Sequence, residues 1–156
     1  MKTLLLGLGN PILTDDGIGV YVVRAVAARW PGDGVDSQEA SVGGLRLLEV
    51  IAGCDRLILV DAIQTPDGAP GQIHRLSTDD LRKSLHAGST HDLSFQGALA
   101  WGRQIGIALP PDDAITIIAV EAEDILTFGE ALTPAVAAAL PDAVEAVLAE
   151  LARDAS

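Results

Sequence analysis

The chain has 156 residues and a formal net charge of −12. That length suits one domain, and the charge repels phosphate backbones, which nucleic-acid binders hold with Lys and Arg. Hydrophobic residues make up 49% and aromatics only 3%, so an aliphatic core of the α/β kind is expected. The single cysteine, Cys54, allows neither an intrachain disulfide nor a cysteine metal cluster. With no signal-peptide pattern and no apolar run of about 18 residues, the expectation is a cytoplasmic protein without a membrane span.

Lys2 to Leu8 reads as a strand buried on both faces, ended by glycine. Gly17 to Trp30 carries Ile18, Val22, Val26 and Trp30 at helical spacing and stops at Pro31-Gly32. Val35 to Ala40 reads as a weaker strand, Gly44 to Ile51 as a short helix, and Arg56 to Ala62 as a strong strand. After a turn-rich loop over Gln64 to Pro70, Gln72 to Leu76 reads as a strand. Ser77 to Asp80 caps a short helix running to Leu85. His86 to Thr90 is a polar loop, Asp92 to Ile107 a helix and Ala114 to Val120 the last strand. Thr133-Pro134 opens a C-terminal helix, which Pro141 is expected to kink or split. Strands alternating with helices give a three-layer α/β/α sandwich around a mostly parallel, five-stranded sheet, with residues 1–156 as one domain.

Ligands of open α/β sheets bind outside the carboxyl ends of the strands. Asp15 and Asp16 follow the first strand, Asp61 ends the third, and His91 lies in the loop Ser89-Thr90-His91-Asp92. Two carboxylates at a strand tip can cap a helix, hold a cation or move protons; one of the pair is expected to cap the helix beginning near Gly17. Asp61 and His91 each have a capping or surface reading beside the ligand reading. Together, a carboxylate pair and an imidazole suit nickel, zinc or iron better than calcium. His74 is expected to be exposed and structural, Cys54 buried, and His86 is a lesser candidate to assist His91. Gly7-Leu8-Gly9 starts a dinucleotide fingerprint, but position 12 is Ile12 rather than glycine. Serine-hydrolase and zincin motifs are absent from the sequence.

The residues Gly7-Leu8-Gly9-Asn10-Pro11-Ile12-Leu13-Thr14-Asp15-Asp16-Gly17-Ile18-Gly19, Leu57-Ile58-Leu59-Val60-Asp61-Ala62 and Ser89-Thr90-His91-Asp92-Leu93 resemble those of the nickel-iron hydrogenase maturation proteases. Gly43-Gly44-Leu45 and Leu132-Thr133-Pro134-Ala135-Val136 add to the resemblance. It implies an endopeptidase that removes the C-terminal extension of a hydrogenase large-subunit precursor. It also implies a monomer whose metal-facing and catalytic residues are Asp16, Asp61 and His91, which leaves Asp15 as the expected helix cap of the pair. The nickel would come with the precursor, and zinc or cadmium could replace it in vitro. Where the family often has a threonine before the second glycine pair, this chain has Val42. Two other readings compete. A non-cleaving, nickel-dependent assembly chaperone would use the same cleft. A peptidyl-tRNA hydrolase shares Gly-Leu-Gly-Asn-Pro but needs an Asn-His pair where Thr14-Asp15-Asp16 stands, and suits the acidic composition poorly.

Overall fold

The structure is a computed structural model describing residues 1–41, 45–83 and 90–153. Its strands are β1 (Thr3–Leu8), β2 (Val35–Ala40), β3 (Arg56–Ile63), β4 (Ile73–Leu76) and β5 (Ile115–Glu121). Its helices are α1 (Ile18–Arg29), α2 (Leu45–Ile51), α3 (Thr78–Lys83), α4 (Thr90–Gln104) and α5 (Pro134–Ala152). A 3-10 turn, Thr14–Gly17, leads into α1. Val42, Gly43, Gly44, Leu85, His86 and Ser89 lie outside the described residues.

The strands form one five-stranded sheet in the order β2-β1-β3-β5-β4, parallel except for β4, which runs antiparallel to β5. The three apolar runs take the inner places because both faces of an inner strand must be buried. In β1 every residue is buried, whereas β2 is half-buried only at its ends and lies at the edge. Alternate side chains divide between two cores. Leu4, Leu6, Leu57, Leu59 and Ile117 pack with Leu47 and Leu48 of α2 and with Phe95 and Leu99 of α4. Leu5, Ile58, Val60, Ile118 and Val120 pack with Val22 and Val26 of α1 and with Val136, Val144 and Val147 of α5. This is the expected three-layer sandwich. Cys54 is buried as expected, and burial pushes its thiol pKa up.

Two helix expectations are corrected. Pro141 does not split the last helix: α5 is continuous through it. Pro141 and Ala137, whose carbonyl loses its N–H partner, are both exposed, so water can serve that carbonyl. His91 is not in a loop ahead of a helix; α4 begins at Thr90, which puts His91 in its first turn.

The switch point of the sheet lies between β1 and β3: from β1 the chain moves out to the β2 edge, and from β3 it moves towards β5 and β4. Loops leaving the carboxyl ends of β1 and β3 therefore lead in opposite directions along the sheet, and such a point is the usual ligand position in sheets of this kind.

Candidate functional site

The glycines of the first motif bring a helix down onto two strand ends. A Cβ on Gly19 would sit 2.3 Å from the Val60 carbonyl oxygen and 2.8 Å from that of Leu8, so the start of α1 rests on the carboxyl ends of both β3 and β1. Gly9, at φ +140°, permits an equally close approach: a Cβ there would lie 2.0 Å from the Asp16 carbonyl oxygen. The pattern that resembles a broken dinucleotide loop is thus a packing device. It presses the Thr14–Gly17 turn against the switch point.

Asp16 lies in that turn, 7% exposed, and its Oδ2 accepts the Asn10 N–H at 2.8 Å. Asp61 follows Val60 in β3, is 3% exposed, and its Oδ1 accepts the Ala62 N–H at 2.8 Å. The two carboxylates therefore belong to one edge of the sheet, Asp61 in β3 and Asp16 in the turn that follows the neighbouring strand β1. Asp61 shares its strand parity with Leu57, Leu59 and Ile63, which face the α2–α4 layer. His91 is located by its backbone: α4 leads into the amino end of β5, so the first turn of α4 lies towards the carboxyl edge, over the face that Asp61 occupies. Among the described residues, no three His, Cys, Asp or Glu side chains form a metal-binding group.

Asp15 departs from its expected role. Gly17 stands at the N-cap of α1 and Leu13 at that of the 3-10 turn, neither giving a side-chain cap bond. Asp15 is instead fully buried and turned towards the segment between β5 and α5. Its Oδ2 accepts the Glu123 and Asp124 N–H groups at 2.9 and 3.0 Å and the Thr133 hydroxyl at 2.7 Å, while Oδ1 accepts the Thr133 N–H at 2.8 Å. Thr133 is the N-cap residue of α5. Asp15 thus serves a helix 118 residues away rather than the one that follows it. Nearby, the Thr14 hydroxyl donates to the Thr127 carbonyl, and Leu13 forms a parallel bridge with Gly129.

His74 is also corrected: it is half-buried, with Nε2 3.1 Å from Oε1 of Glu121. Glu121, which ends β5, is 2% exposed and also accepts the Thr65 N–H and hydroxyl, both at 2.7 Å. It anchors the loop that leaves β3 just after Asp61. Sequence reasoning missed this residue because the apolar run of β5 stops at Val120. A signal existed in the alternation of Ala119 and Glu121 on one strand face opposite His74.

The comparisons with known proteins decide the family. A model described as "HycI: Hydrogenase maturation protease" matches residues 20–150. This chain belongs to the hydrogenase maturation protease family.

It is 35% identical over 153 residues to the hydrogenase 2 maturation protease of Escherichia coli K12, across 97% of this chain and 91% of that protein. It is 32% identical to the hydrogenase expression/formation protein HoxM of Azotobacter vinelandii, across 96% and 72%. The solved hydrogenase maturating endopeptidase HybD from E. coli superimposes with a TM-score of 0.85 at 34% identity, covering 98% of this chain and 93% of that one. The [NiFe] hydrogenase maturation protease HybD from Thermococcus kodakarensis gives 0.67 at 28% identity, covering 94% and 97%. The family match includes Asp61 and His91 and begins four residues after Asp16.

Proposed function

We propose that this protein is an endopeptidase that removes the C-terminal extension of a nickel-iron hydrogenase large-subunit precursor and acts on the nickel-loaded form. The observation that carries the reading is the meeting of family membership with two buried carboxylates, Asp16 and Asp61, at the β1–β3 switch point. Nickel enters as part of the substrate. Asp16, Asp61 and His91 would contact it there, their oxygen and nitrogen donors being of the kind such a divalent ion accepts. An incomplete protein ligand set leaves positions for the precursor's own ligands, so recognition would test whether metal has arrived. The metal's contribution is to polarise the scissile carbonyl or activate water. Of the chain's own groups, Asp16, whose Oδ2 accepts the Asn10 N–H, would take the proton as general base, since Asp15 is fully buried and engaged with Thr133.

The test is mass spectrometry of purified precursor, nickel-loaded and nickel-free, after incubation with the protein. Loss of a C-terminal peptide from the loaded form alone is expected. The Asp16→Ala, Asp61→Ala and His91→Ala variants should each lose processing by about 100-fold or more. Full processing by these variants would sink the site assignment. A stable complex with unchanged precursor mass would favour a chaperone instead. The described residues contain no helix long and apolar enough to cross a membrane.

A further inference from the structure

The segment between β5 and α5 exposes two bulky apolar side chains, Leu126 at 82% and Phe128 at 80%. Ile12, 46% exposed, comes from the motif turn that this segment touches: the Gly129 N–H donates to the Ile12 carbonyl at 2.8 Å, and the Thr14 N–H to the Gly129 carbonyl at 3.0 Å. Such side chains in a loop usually fold inward or move freely. Here the backbone that carries them is fixed. Asp124 Oδ1 accepts the Leu126 and Thr127 N–H groups at 3.0 Å each; a hydrogen bond from the Thr127 side chain first, and then these two N–H groups, hold the Asp124 carboxyl below its ordinary pKa. Asp15 holds the N–H groups of Glu123 and Asp124 from beneath. A fixed exposed apolar ledge beside a candidate site is what a docking surface needs, because little ordering entropy remains to be lost on binding.

What covers the ledge is indicated by its rim. Glu123 and Glu130 are exposed on either side, Asp124 lies between, and the whole chain carries −12. Glu130 also borders an open groove of about 690 Å³, lined by Ala25, Leu132 and Leu140 and by Arg24, whose charge is paired with Glu39. Apolar knobs within an acidic rim suit a segment that pairs apolar side chains with Lys or Arg. Through the Leu13–Gly129 bridge the ledge is continuous with the turn that carries Asp16.

We propose that Ile12, Leu126 and Phe128 form the docking surface for the protein substrate, gripping a basic, apolar segment of the precursor outside the peptide that is cut. This rests on the proposed function for the identity of the partner. The contact does not involve the metal, so it exists with nickel-free precursor as well. Docking of this kind positions the precursor before any chemistry and contributes to KM more than to kcat.

The test is the affinity of the full-length protein for purified nickel-free precursor, measured by calorimetry, beside cleavage of the nickel-loaded form read by mass spectrometry. The double variant Leu126→Ser, Phe128→Ser should bind at least about tenfold more weakly, with an unchanged melting temperature because both side chains are exposed. The double variant Glu123→Gln, Glu130→Gln should bind more weakly at low salt and lose most of the salt dependence. Wild-type affinity in the serine variant overturns the docking surface, even if cleavage is normal. So does absence of binding between wild-type protein and nickel-free precursor. Binding that the serine variant loses, with no cleavage by wild type, supports the ledge and refutes the protease reading.

Discussion

The carboxylate of Asp15 accepts both the N–H and the hydroxyl of Thr133, at 2.8 and 2.7 Å, and so joins the first loop of the chain to the start of its last helix. Two consecutive aspartates therefore divide the labour. Asp15 is turned inward as a clamp and Asp16 lies at the sheet edge as the candidate reactive group. The clamp fixes the turn from which Asp16 projects, and it fixes the exposed ledge on the other side.

Replacing Asp15 with Asn tests the clamp. Asn keeps the size but offers one acceptor oxygen instead of two and brings an N–H₂ group up against existing donors. The loss should cost about 3 kcal/mol, since buried donors are left unpaired. For a chain of this size that lowers the melting temperature by about 6–12 °C. An unchanged melting curve would show that the buried carboxylate is not structural.

The neighbouring substitution should behave in the opposite sense. Asp16→Ala removes one acceptor from the Asn10 N–H, a cost of about 1 kcal/mol. Processing should nevertheless fall by about 100-fold or more. Thermal unfolding and precursor cleavage, measured on the same two variants, separate the roles: Asp15→Asn lowers stability most, and Asp16→Ala lowers activity most. Equal losses of stability in both would mean that Asp16 is part of the same clamp.

The sequence made the sheet legible because β1, β3 and β5 are apolar runs that only an inner strand can bury, and because the exposed β2 could only be an edge. The positions of Asp61 and Asp16 along the chain follow from the apolar runs, one of which leads into Asp61 in β3 while the other ends at Leu8, eight residues before Asp16. The role of Asp15 was not legible, because local reasoning gives a carboxylate before a helix to that helix, whereas its partners lie 108 to 118 residues onward. Its neighbour Thr14, at φ +53°, shows how far the turn is bent to face them. Glu150 is a case where the signal was present. It lies three residues after Val147 and one before Leu151, on the buried stripe of α5, and a carboxylate on such a stripe requires a partner.

Close packing of α1 on the strand ends yields a paired prediction about glycines. Gly19→Ala would put a Cβ 2.3 Å from the Val60 carbonyl oxygen, and backbone there cannot yield without lifting α1 from β1 and β3. The cost should be about 3 kcal/mol, with processing reduced because the Asp16 turn shifts with the helix. Gly97, exposed within α4, meets nothing within 4 Å. Gly97→Ala should be neutral or stabilise by up to about 1 kcal/mol through helix propensity. Chemical denaturation of the two variants checks both, and a destabilised Gly97→Ala protein would count against the packing account.

At the opposite edge of the sheet, Glu150 organises a charged cluster whose effect depends on pH. Its carboxylate, 5% exposed, receives Nε and Nη2 of Arg75 at 2.8 and 3.0 Å and the Thr116 hydroxyl at 3.1 Å. The hydrogen bonds from Arg75 outweigh burial and hold its pKa below the ordinary 4.5, while Glu150 raises the pKa of Arg75. A carboxyl depressed in the folded state binds its proton more readily when unfolded. Its contribution is therefore complete above about pH 4.5 and is lost as pH falls through the lower folded value. Glu150→Gln should lose about 2 kcal/mol at pH 7, the worth of hydrogen bonds to a charged group. The gap between wild type and variant should then narrow as the pH falls below 4.5. Urea unfolding at a series of pH values measures that gap directly, and a gap that stays constant from neutral to acid pH would remove Glu150 from the acid sensitivity of the fold.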